Sequence, residues 1–269
     1  MNQEHNSDKV DLDIYPLVTW LMCAHIGNEY LKIAIESCLE QTYKNYELII
    51  VLNGPHRDEI ERSIIGWFPL IDKVRIYKSP IQHLIFSLNL GLHFARGKYI
   101  ARMDSDDISH PQRLELQVIC MEANPKIAVL GSAYKVVDEL GTKIGFVRNP
   151  LSNKSIRRQL FFKNPLCHPS VMMRKSCVLN IGGYMGGLHA EDYDLWCRLS
   201  IDSLNHFKNL DDELLSYRFS SAGGARKSRR AYATMAATQL NVFFLTGKLV
   251  WIIAIILTYV KAVWLSKRP

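Results

Sequence analysis

The chain has 269 residues, of which 48% are hydrophobic and 22% charged, values that are ordinary for a globular protein and allow one large α/β domain with an appendage. The net charge of +7 is unevenly placed: residues 226–269 contain eight Lys or Arg and no Asp or Glu, whereas the preceding 225 residues carry 25 basic and 26 acidic side chains. A nearly neutral body argues against nucleic acid as a partner and predicts a basic segment at the C-terminal end.

The first two-thirds of the chain alternates apolar strand-like runs with helical patterns, which is typical of βαβ units on a mostly parallel sheet. Residues 1–15 are polar and mixed in charge, and they predict a flexible N-terminal tail. The patterns then predict strands at 17–24, 46–54, 74–77 and 98–103, and helices at 30–41, 57–68, 83–95 and around Pro111.

The chain after residue 125 is less regular. Residues 126–147 predict two strands joined by a turn at Glu139–Gly141, and residues 167–175 form a strand-like segment. Helices are expected at 154–164 and 190–200, the second with Leu195, Trp196 and Leu199 facing inward.

The C-terminal segment has a different character. Residues 249–260 are twelve consecutive apolar or weakly polar residues between Lys248 and Lys261, and extending the run to 242–265 takes in both lysines. Twelve helical residues cover only about 18 Å, whereas a membrane span needs about 20 residues. We therefore predict that residues 225–269 associate with a membrane, either spanning it or lying in its plane. The alternative is a helix packed on a partner or on the body.

Two further features bear on location. The basic stretch ARKSRR at 225–230 is suited to anionic lipid, and the tryptophans near the lysines are typical of a membrane interface. Six cysteines without a C-x-x-C pair favour reduced thiols in an intracellular protein. Together these features predict the cytoplasmic face of the cell membrane.

Three carboxylates follow a predicted buried strand in the stretch KYIARMDSDDISHPQRL. Asp104, Asp106 and Asp107 lie within four positions, and like charges this close repel. Carboxylates at the C-terminal end of a parallel strand point into the crevice where α/β sheets bind ligands, and Mg²⁺ or Mn²⁺ would relieve the repulsion. Side-chain alternation lets Asp104 and Asp106 face one site. The alternative is that Asp107 or Ser109 caps the helix that includes Pro111, without a metal.

Several segments in the same order resemble family 2 glycosyltransferases. They are YLKIAIESCLEQTYKNYELIIV, SLNLGLHFARGKYIA, the D-x-D region GKYIARMDSDDISHPQRLELQ, then CHPSVMMRK, GGY and EDYDLWCRL. The resemblance covers about residues 16–220. It implies a GT-A-like fold, a Rossmann-related and mostly parallel sheet flanked by helices, over residues 16–224, followed by an apolar and basic helical tail over 225–269.

The resemblance also implies a metal site and a catalytic base. Asp104 would contact ribose or metal, Asp106 would be the main metal ligand, and Asp107 would complete the cluster, with Mg²⁺ or Mn²⁺ as the cofactor. In inverting members of the family the aspartate of the E-D motif is the general base, which corresponds to Asp192 here, and Glu191 is the second catalytic candidate. The alternative is that both acids simply favour a helix N-terminus.

Donor-binding roles are implied for Ala24, His25, Asn53, Asn89, Arg102 and Asp104. The segments expected to bind the nucleotide base depart from the family pattern, since CAHI replaces Pro-Thr-Tyr-Asn and LNGP replaces Asp-Asp-Gly-Ser. An asparagine can still bond a pyrimidine edge, and an alanine can offer backbone groups. A histidine can stack on the base, or it can simply be solvated. UDP is the expected nucleotide.

Other matched positions lie on the acceptor or sugar side. His168 resembles a family position lining that side, and a core or turn role is the alternative. Trp196 is an acceptor platform or a core residue. Near Arg218, where many relatives carry a histidine, Arg226 or Lys227 would close over the diphosphate or belong only to the membrane-facing tail.

These features together predict an inverting glycosyltransferase. It would transfer a sugar from a nucleotide diphosphate donor, expected to be a UDP-sugar, to an acceptor hydroxyl in cell-surface polysaccharide or lipid-linked glycan synthesis. The alternative is a noncatalytic nucleotide-sugar-binding or scaffold protein of the same fold. A haloacid-dehalogenase-like phosphatase expects Thr or Val at the position where this chain has Ile108, which argues against that class. A dinucleotide-binding Rossmann enzyme needs a G-x-G-x-x-G after the first strand, and the sequence has none there.

Overall fold

The structure is a computed structural model that describes residues 15–69, 72–187, 189–219 and 228–265. Residues 1–14 of the predicted N-terminal tail, residues 220–227 with Arg226 and Lys227, and the last four residues lie outside the described residues.

Within the described residues, nine strands form one sheet. They are β1 Val18–Ala24, β2 Tyr46–Asn53, β3 Val74–Ser79, β4 Tyr99–Asp104, β5 Ile108–Ser109, β6 Ile127–Val137, β7 Lys143–Val147, β8 Met172–Arg174 and β9 His206–Arg218.

The helices are α1 Glu29–Leu39, α2 Arg57–Trp67, α3 Leu84–Phe94, α4 Arg113–Ala123, α5 Asn153–Leu160, α6 Lys175–Asn180, α7 Glu191–Leu199, α8 Arg229–Thr246 and α9 Val250–Leu265. A 3-10 turn at His168–Ser170 precedes β8.

The sheet has two parts. Its first part, β3-β2-β1-β4, is parallel throughout, as the alternation of strands and helices predicts. Beyond β4 the sheet is mixed: β8 is antiparallel to both β4 and β6, whereas β6 and β9 are parallel. The carboxyl ends of β1 and β4 lie side by side, with Cys23 paired to Asp104. A sheet with a parallel first part, flanked by helices, is the architecture that the sequence predicts.

Strands β1 and β2 are buried along their whole length, which explains why they are mostly apolar. Side chains alternate across β1: Trp20 and Met22 pack with α1, α2 and α4, whereas Leu21 packs with α3, α5 and α7. The second layer also includes Val242 of α8 and Trp251 of α9. The C-terminal helices are therefore continuous with the core of the domain.

The predicted elements occur near their expected positions, with three informative differences. The helix predicted at 154–164 ends at Leu160, so that the segment after it can contact α7. The strand-like segment 167–175 is a 3-10 turn followed by a short strand. Strand β9, 13 residues long, was not predicted, because its sequence HFKNLDDELLSYR mixes charged and apolar residues without regular alternation.

The C-terminal segment is a helical hairpin, not one continuous helix across 242–265. α8 ends at Thr246, and Gly247 adopts a left-handed conformation with φ of 65°, which ends the helix at little steric cost. Among the described residues, the structure contains no helix whose length and apolar character suffice to cross a membrane.

Buried polar contacts fix the hairpin to the domain. Thr258 of α9 donates a hydrogen bond to Gln239 of α8 (3.0 Å), and Gln239 donates in turn to the hydroxyl of Tyr193 of α7 (3.0 Å). Tyr193 donates to the carbonyl of Leu160 at the end of α5 (2.6 Å). This chain of contacts, together with Trp251 against Phe161, corresponds to the predicted alternative in which the tail packs on the body.

Candidate active site

The three aspartates of the D-x-D region form one cluster at the carboxyl end of β4. Carboxylate oxygens of Asp104, Asp106 and Asp107 all lie within 4.8 Å of one another. Asp106 is exposed to solvent, Asp104 is half-buried, and Asp107 is 1% exposed. The cluster occupies the crevice at the ends of the parallel strands, where ligands bind in this class of sheet.

One buried arginine and one backbone N–H stabilise the charge of the cluster. Arg102, two residues before Asp104 on β4, is buried and donates from Nη2 to the Asp104 carboxylate. Its Nε and Nη1 atoms have no hydrogen-bond partner within the described part of the chain. The backbone N–H of Arg218 donates to Asp107 Oδ1 (2.7 Å). The donor-binding role of Arg102 stays a prediction, and its observed role is that of a counter-charge.

Arg218 also shapes the loop around the cluster. Its guanidinium donates to the carbonyls of Asp106 (2.9 Å), Asp138 (3.0 Å) and Glu139 (2.9 Å), and it stacks over the ring of Tyr30 at 4.4 Å. This side chain ties the D-x-D loop to the β6–β7 turn. The sequence did not indicate this role of Arg218, because β9 was not predicted.

The helix-capping alternative for the acidic cluster is wrong. The residue at the N-cap of α4 is Gln112, which makes no side-chain capping bond. Asp107 binds the backbone of Arg218 instead, and Ser109 lies in β5. None of the three aspartates is accounted for by the start of α4.

The residues of the cluster fit a hard divalent cation. Asp107 Oδ2 is buried and has no hydrogen-bond partner among the described residues, which is costly for a carboxylate. Burial raises the pKa of Asp107 well above its usual value, and the neighbouring charges of Asp104 and Asp106 raise it further. Three carboxylates that share one small volume supply the all-oxygen donor set that Mg²⁺ and Mn²⁺ prefer.

The Glu191–Asp192 pair opens α7, as the sequence predicts. Ala190 at the N-cap of that helix has φ of 61°, a left-handed conformation that non-glycine residues seldom adopt. Such strained residues cluster at functional sites, because they persist only where the surroundings impose them. The conformation at Ala190 sets the direction in which the following two carboxylates leave the backbone.

Glu191 is held in a setting that favours its protonated form. Its side chain is 13% exposed, and burial raises its pKa to about 7, with a further contribution from the charge of Asp192. Arg102 acts in the opposite direction, and Asp104 adds to the rise. These influences indicate that the start of α7 lies near the end of β4.

Asp192 is oriented by a residue that the sequence did not indicate. Asn164 Nδ2 donates to Asp192 Oδ2 (2.6 Å), and the N–H of Tyr193 donates to Asp192 Oδ1 (2.7 Å). Asn164 can reach α7 because α5 ends at Leu160 and the chain then turns. An asparagine before a proline signals only a turn in the sequence, so no local pattern could identify this contact.

His168 lies beside the same pair of carboxylates. Its Nε2 is 2.7 Å from the hydroxyl of Tyr184, and its Nδ1 is 3.9 Å from Glu191 Oε1. Tyr184 is buried, and its pKa is raised well above the usual value mainly by that burial. His168 therefore lies next to Glu191, and contact with a sugar or an acceptor stays a prediction.

Trp196 is a core residue. It is fully buried in the layer formed by α3, α5 and α7, and its indole ring packs edge-on against His168 at 6.0 Å. A sugar cannot stack on a ring that has no exposed face. The acceptor-platform interpretation of Trp196 is therefore wrong, and the alternative of a core position holds.

The residues predicted to bind the donor base lie at the ends of β1 and β2. Ala24 is buried and His25 is exposed, while Asn53 is 5% exposed and donates to Ser87 Oγ (2.8 Å). The side chain of Asn89 is used differently. Its carboxamide donates to the carbonyl of Tyr184 (2.8 Å) and accepts from the N–H of Tyr184 (2.9 Å). Asn89 thus supports the loop before α7, and these contacts weigh against donor binding by its side chain.

The fold is similar to that of a solved protein of low sequence identity. A crystal structure of S. aureus TarS residues 1–349 in complex with UDP matches with a TM-score of 0.60 and 14% identity, covering 83% of this chain and 65% of that one. The chain spans less than two thirds of that structure. An identity this low supports the fold alone.

Closer relatives are similar in sequence. The chain is 37% identical over 235 residues to the O-antigen biosynthesis glycosyltransferase WbnJ of Escherichia coli, which covers 87% of this chain and 91% of that protein. It is 36% identical over 194 residues to the amylovoran biosynthesis glycosyltransferase AmsE of Erwinia amylovora, which covers 72% of each chain.

The family model described as glycosyl transferase family 2 matches residues 19–181. This range runs from β1 through the D-x-D cluster to the end of α6, and the relatives extend the similarity over most of the chain. The chain therefore belongs to glycosyl transferase family 2.

Proposed function

We propose that the protein transfers a sugar from a nucleotide diphosphate donor to an acceptor hydroxyl, with inversion at the sugar C1. The observation that carries this proposal is the presence of two separate carboxylate groups that lie near each other. The cluster Asp104–Asp107 follows β4, the Glu191–Asp192 pair begins α7, and the charges of Arg102 and Asp104 both influence the pKa of Glu191. Such an arrangement separates a site for the leaving group from a site for the base.

The first group would hold the cation and the diphosphate end of the donor. Asp106, the exposed member, is proposed as the main metal ligand, and Asp104 as a second ligand oriented by Arg102. Asp107, the buried member, is proposed to complete the cluster. A bound Mg²⁺ or Mn²⁺ supplies neutralisation of the charge that grows on the departing diphosphate. Arg218 keeps the loop that carries these residues in place.

The second group would handle the acceptor proton. Asp192 is proposed to accept the proton of the acceptor hydroxyl while the hydroxyl oxygen forms a bond to C1 of the sugar. The bond from C1 to the diphosphate oxygen breaks, and its electron pair leaves with the diphosphate. Asn164 holds the carboxylate of Asp192 in one orientation at 2.6 Å, which is the positioning that such a base needs. Glu191, with a pKa near 7, is the competing candidate.

The donor and the acceptor class are inferred from the comparisons. A UDP complex of a protein with the same fold supports UDP as the nucleotide, with Ala24, His25 and Asn53 as the residues nearest the base. Relatives named for O-antigen and amylovoran biosynthesis support a glycan acceptor in polysaccharide synthesis. We propose the same class of acceptor for this protein.

Donor binding is tested first. Thermal unfolding is followed with a panel of nucleotide sugars, with and without Mn²⁺, on the native protein and on Asp106→Asn. Stabilisation by one UDP-sugar that requires Mn²⁺ in the native protein, and its loss in Asp106→Asn, is the expected result. Asp212→Asn, an exposed aspartate of β9 away from the cluster, is the matched control and should behave as the native protein. Equal stabilisation of Asp106→Asn would exclude the metal assignment.

Catalysis is tested separately. Asp192→Asn should bind the donor in calorimetry with unchanged affinity and should not transfer the sugar. If Asp192→Asn transfers normally and Glu191→Gln does not, the base is Glu191. A native protein that binds a UDP-sugar but neither hydrolyses nor transfers it, with any glycan acceptor tried, would favour the noncatalytic binding protein.

A further inference from the structure

The outward side of α9 is apolar although it is exposed. The inward side, with Trp251, Ala254 and Thr258, is buried against α8 and the body. The opposite side exposes large apolar side chains at Ile252, Ile253, Ile256, Leu257, Val260 and Trp264. A continuous patch of this kind on a folded protein marks an interaction surface.

Large apolar side chains are also exposed on α8 and at the turn of the hairpin. Leu240, Phe244 and Leu245 are exposed on α8, and Leu249 is exposed in the connection, with Phe244 at 75% and Leu249 at 70%. These values are those of side chains with almost no protein neighbour. The apolar face is therefore shared by both helices.

Basic and aromatic residues border this apolar face. Arg229 and Arg230 begin α8, and the antiparallel arrangement places Arg229 in the same groove as Tyr259 and Val263 near the end of α9. Lys261 is the charged residue of α9, and the sequence contains no Asp or Glu after Glu213. A cationic border with tyrosine and tryptophan is the composition of a segment that lies at a lipid interface.

The inward face of the hairpin is already used by the domain. The chain of contacts from Thr258 through Gln239 to Tyr193 is buried, and Lys261 Nζ donates to the carbonyl of Phe162 (2.9 Å). Removing either helix from the domain would leave these polar groups without partners, at a cost for each. The hairpin thus keeps one face on the domain and offers the other.

We propose that the outward face of the α8–α9 hairpin lies in the plane of an anionic phospholipid bilayer, at the cytoplasmic face of the cell membrane. The hairpin also holds α7, so docking would keep the Glu191–Asp192 end of the cleft near the bilayer surface. This second part rests on the proposed function: an acceptor carried on a lipid would reach Asp192 without leaving the membrane.

Charge distinguishes lipid from a second copy of the chain as the occupant. A second copy would bring a second set of arginines and lysines to the same interface, and like charges repel. Anionic head groups instead neutralise the same residues, each worth about 1 kcal/mol near the surface of an anionic bilayer. The observed face is therefore complementary to the lipid.

Vesicle sedimentation tests the apolar half of the proposal. The full-length protein is mixed with vesicles of equal parts phosphatidylglycerol and phosphatidylcholine. Ile256→Glu, at an exposed position of α9, should reduce binding by about tenfold or more, since a buried isoleucine contact is lost and a charge must enter the interface. Ile119→Glu on α4 is a matched control, because Ile119 is 58% and Ile256 is 56% exposed and both lie in helices. Val260→Gln is a second, milder variant.

The electrostatic half has its own variant. Arg229→Gln combined with Arg230→Gln should weaken binding about thirtyfold, and vesicles of phosphatidylcholine alone should bind the native protein correspondingly less. Unchanged thermal unfolding and unchanged Mn²⁺-dependent donor binding in every variant would show that the fold and the donor site are intact. A failure of the docking proposal is thereby distinguished from a failure of the proposed function.

Three results would overturn the proposal. The first is equal vesicle binding by Ile256→Glu and Ile119→Glu, or no binding by the native protein. The second is a dimer in analytical ultracentrifugation that Ile256→Glu abolishes, which would make the face a contact between copies. The third is resistance of the membrane-bound protein to alkaline extraction, which would indicate a span.

Discussion

Replacing Glu191 with glutamine should make the protein more stable at neutral pH. The side chain of Glu191 is largely buried at the start of α7, beside Asp192, and its pKa is raised to about 7 in the folded protein. In the unfolded chain the same group has a pKa near 4.5. Ionisation of Glu191 therefore opposes folding, whereas glutamine keeps the shape of the side chain without the charge.

The size of the effect follows from the shift of the pKa. A difference of about 2.5 pH units, at about 1.4 kcal/mol for each unit, corresponds to a loss of folding stability on the order of 3 kcal/mol. Between about pH 4.5 and pH 7 the folded protein retains the proton and the unfolded chain does not, so stability falls as the pH rises through this window. Glu191→Gln should match the native protein below the window and exceed its stability by that amount above it.

Urea unfolding in metal-free buffer across this pH range measures the difference. Glu29→Gln is the matched control, because Glu29 is likewise the first residue of a helix, α1, but its side chain is 70% exposed. Its substitution should leave the pH dependence almost unchanged. Parallel pH profiles for the native protein and Glu191→Gln, or lower stability of Glu191→Gln at pH 8, would refute the reasoning.

Three further outcomes are expected. Asn164→Ala should lower kcat about tenfold, with donor binding unchanged in calorimetry, because Asp192 loses the donor that orients it; an unaltered kcat would contradict this role. Gln239→Leu should lower the free energy of unfolding by about 1–3 kcal/mol, since the hydroxyls of Tyr193 and Thr258 both lose a buried hydrogen-bond partner. Urea unfolding checks it, and a change no larger than that of the exposed Asn241→Leu would count against it. Trp196→Phe should reduce thermal stability and leave the acceptor KM unchanged, and a raised KM with full stability would restore the platform interpretation.

Local pattern was sufficient for the first half of the fold and for the acidic cluster. Apolar runs and amphipathic helices identify β1 to β4 and α1 to α3, because their periodicity reflects burial on a parallel sheet. The D-x-D spacing at the end of a buried strand likewise indicated a site before any contact was known. The E-D pair was recognised as the start of a helix for the same reason.

The contacts between distant segments could not be predicted in this way. Asn164 and Asp192 are 28 positions apart, and Arg218 and Asp107 are 111 positions apart. Neither pair has a local sequence pattern that indicates its partner. The contact between Arg218 and Asp107 depends on where β9 joins the sheet, which short-range sequence does not determine. The burial that raises the pKa of Glu191 likewise depends on tertiary packing, which the local sequence does not determine.

The sequence by itself determined the family, the fold class, the acidic cluster and the basic, apolar character of the C-terminal segment, since each is written in short-range composition and spacing. Only the tertiary structure decided that Trp196 is core, that Asn89 supports the Tyr184 backbone, and that Gly247 divides the C-terminal segment into a hairpin bonded to α7. These outcomes depend on which surfaces meet. Packing and hydrogen bonding between remote residues select among faces that the sequence leaves equivalent.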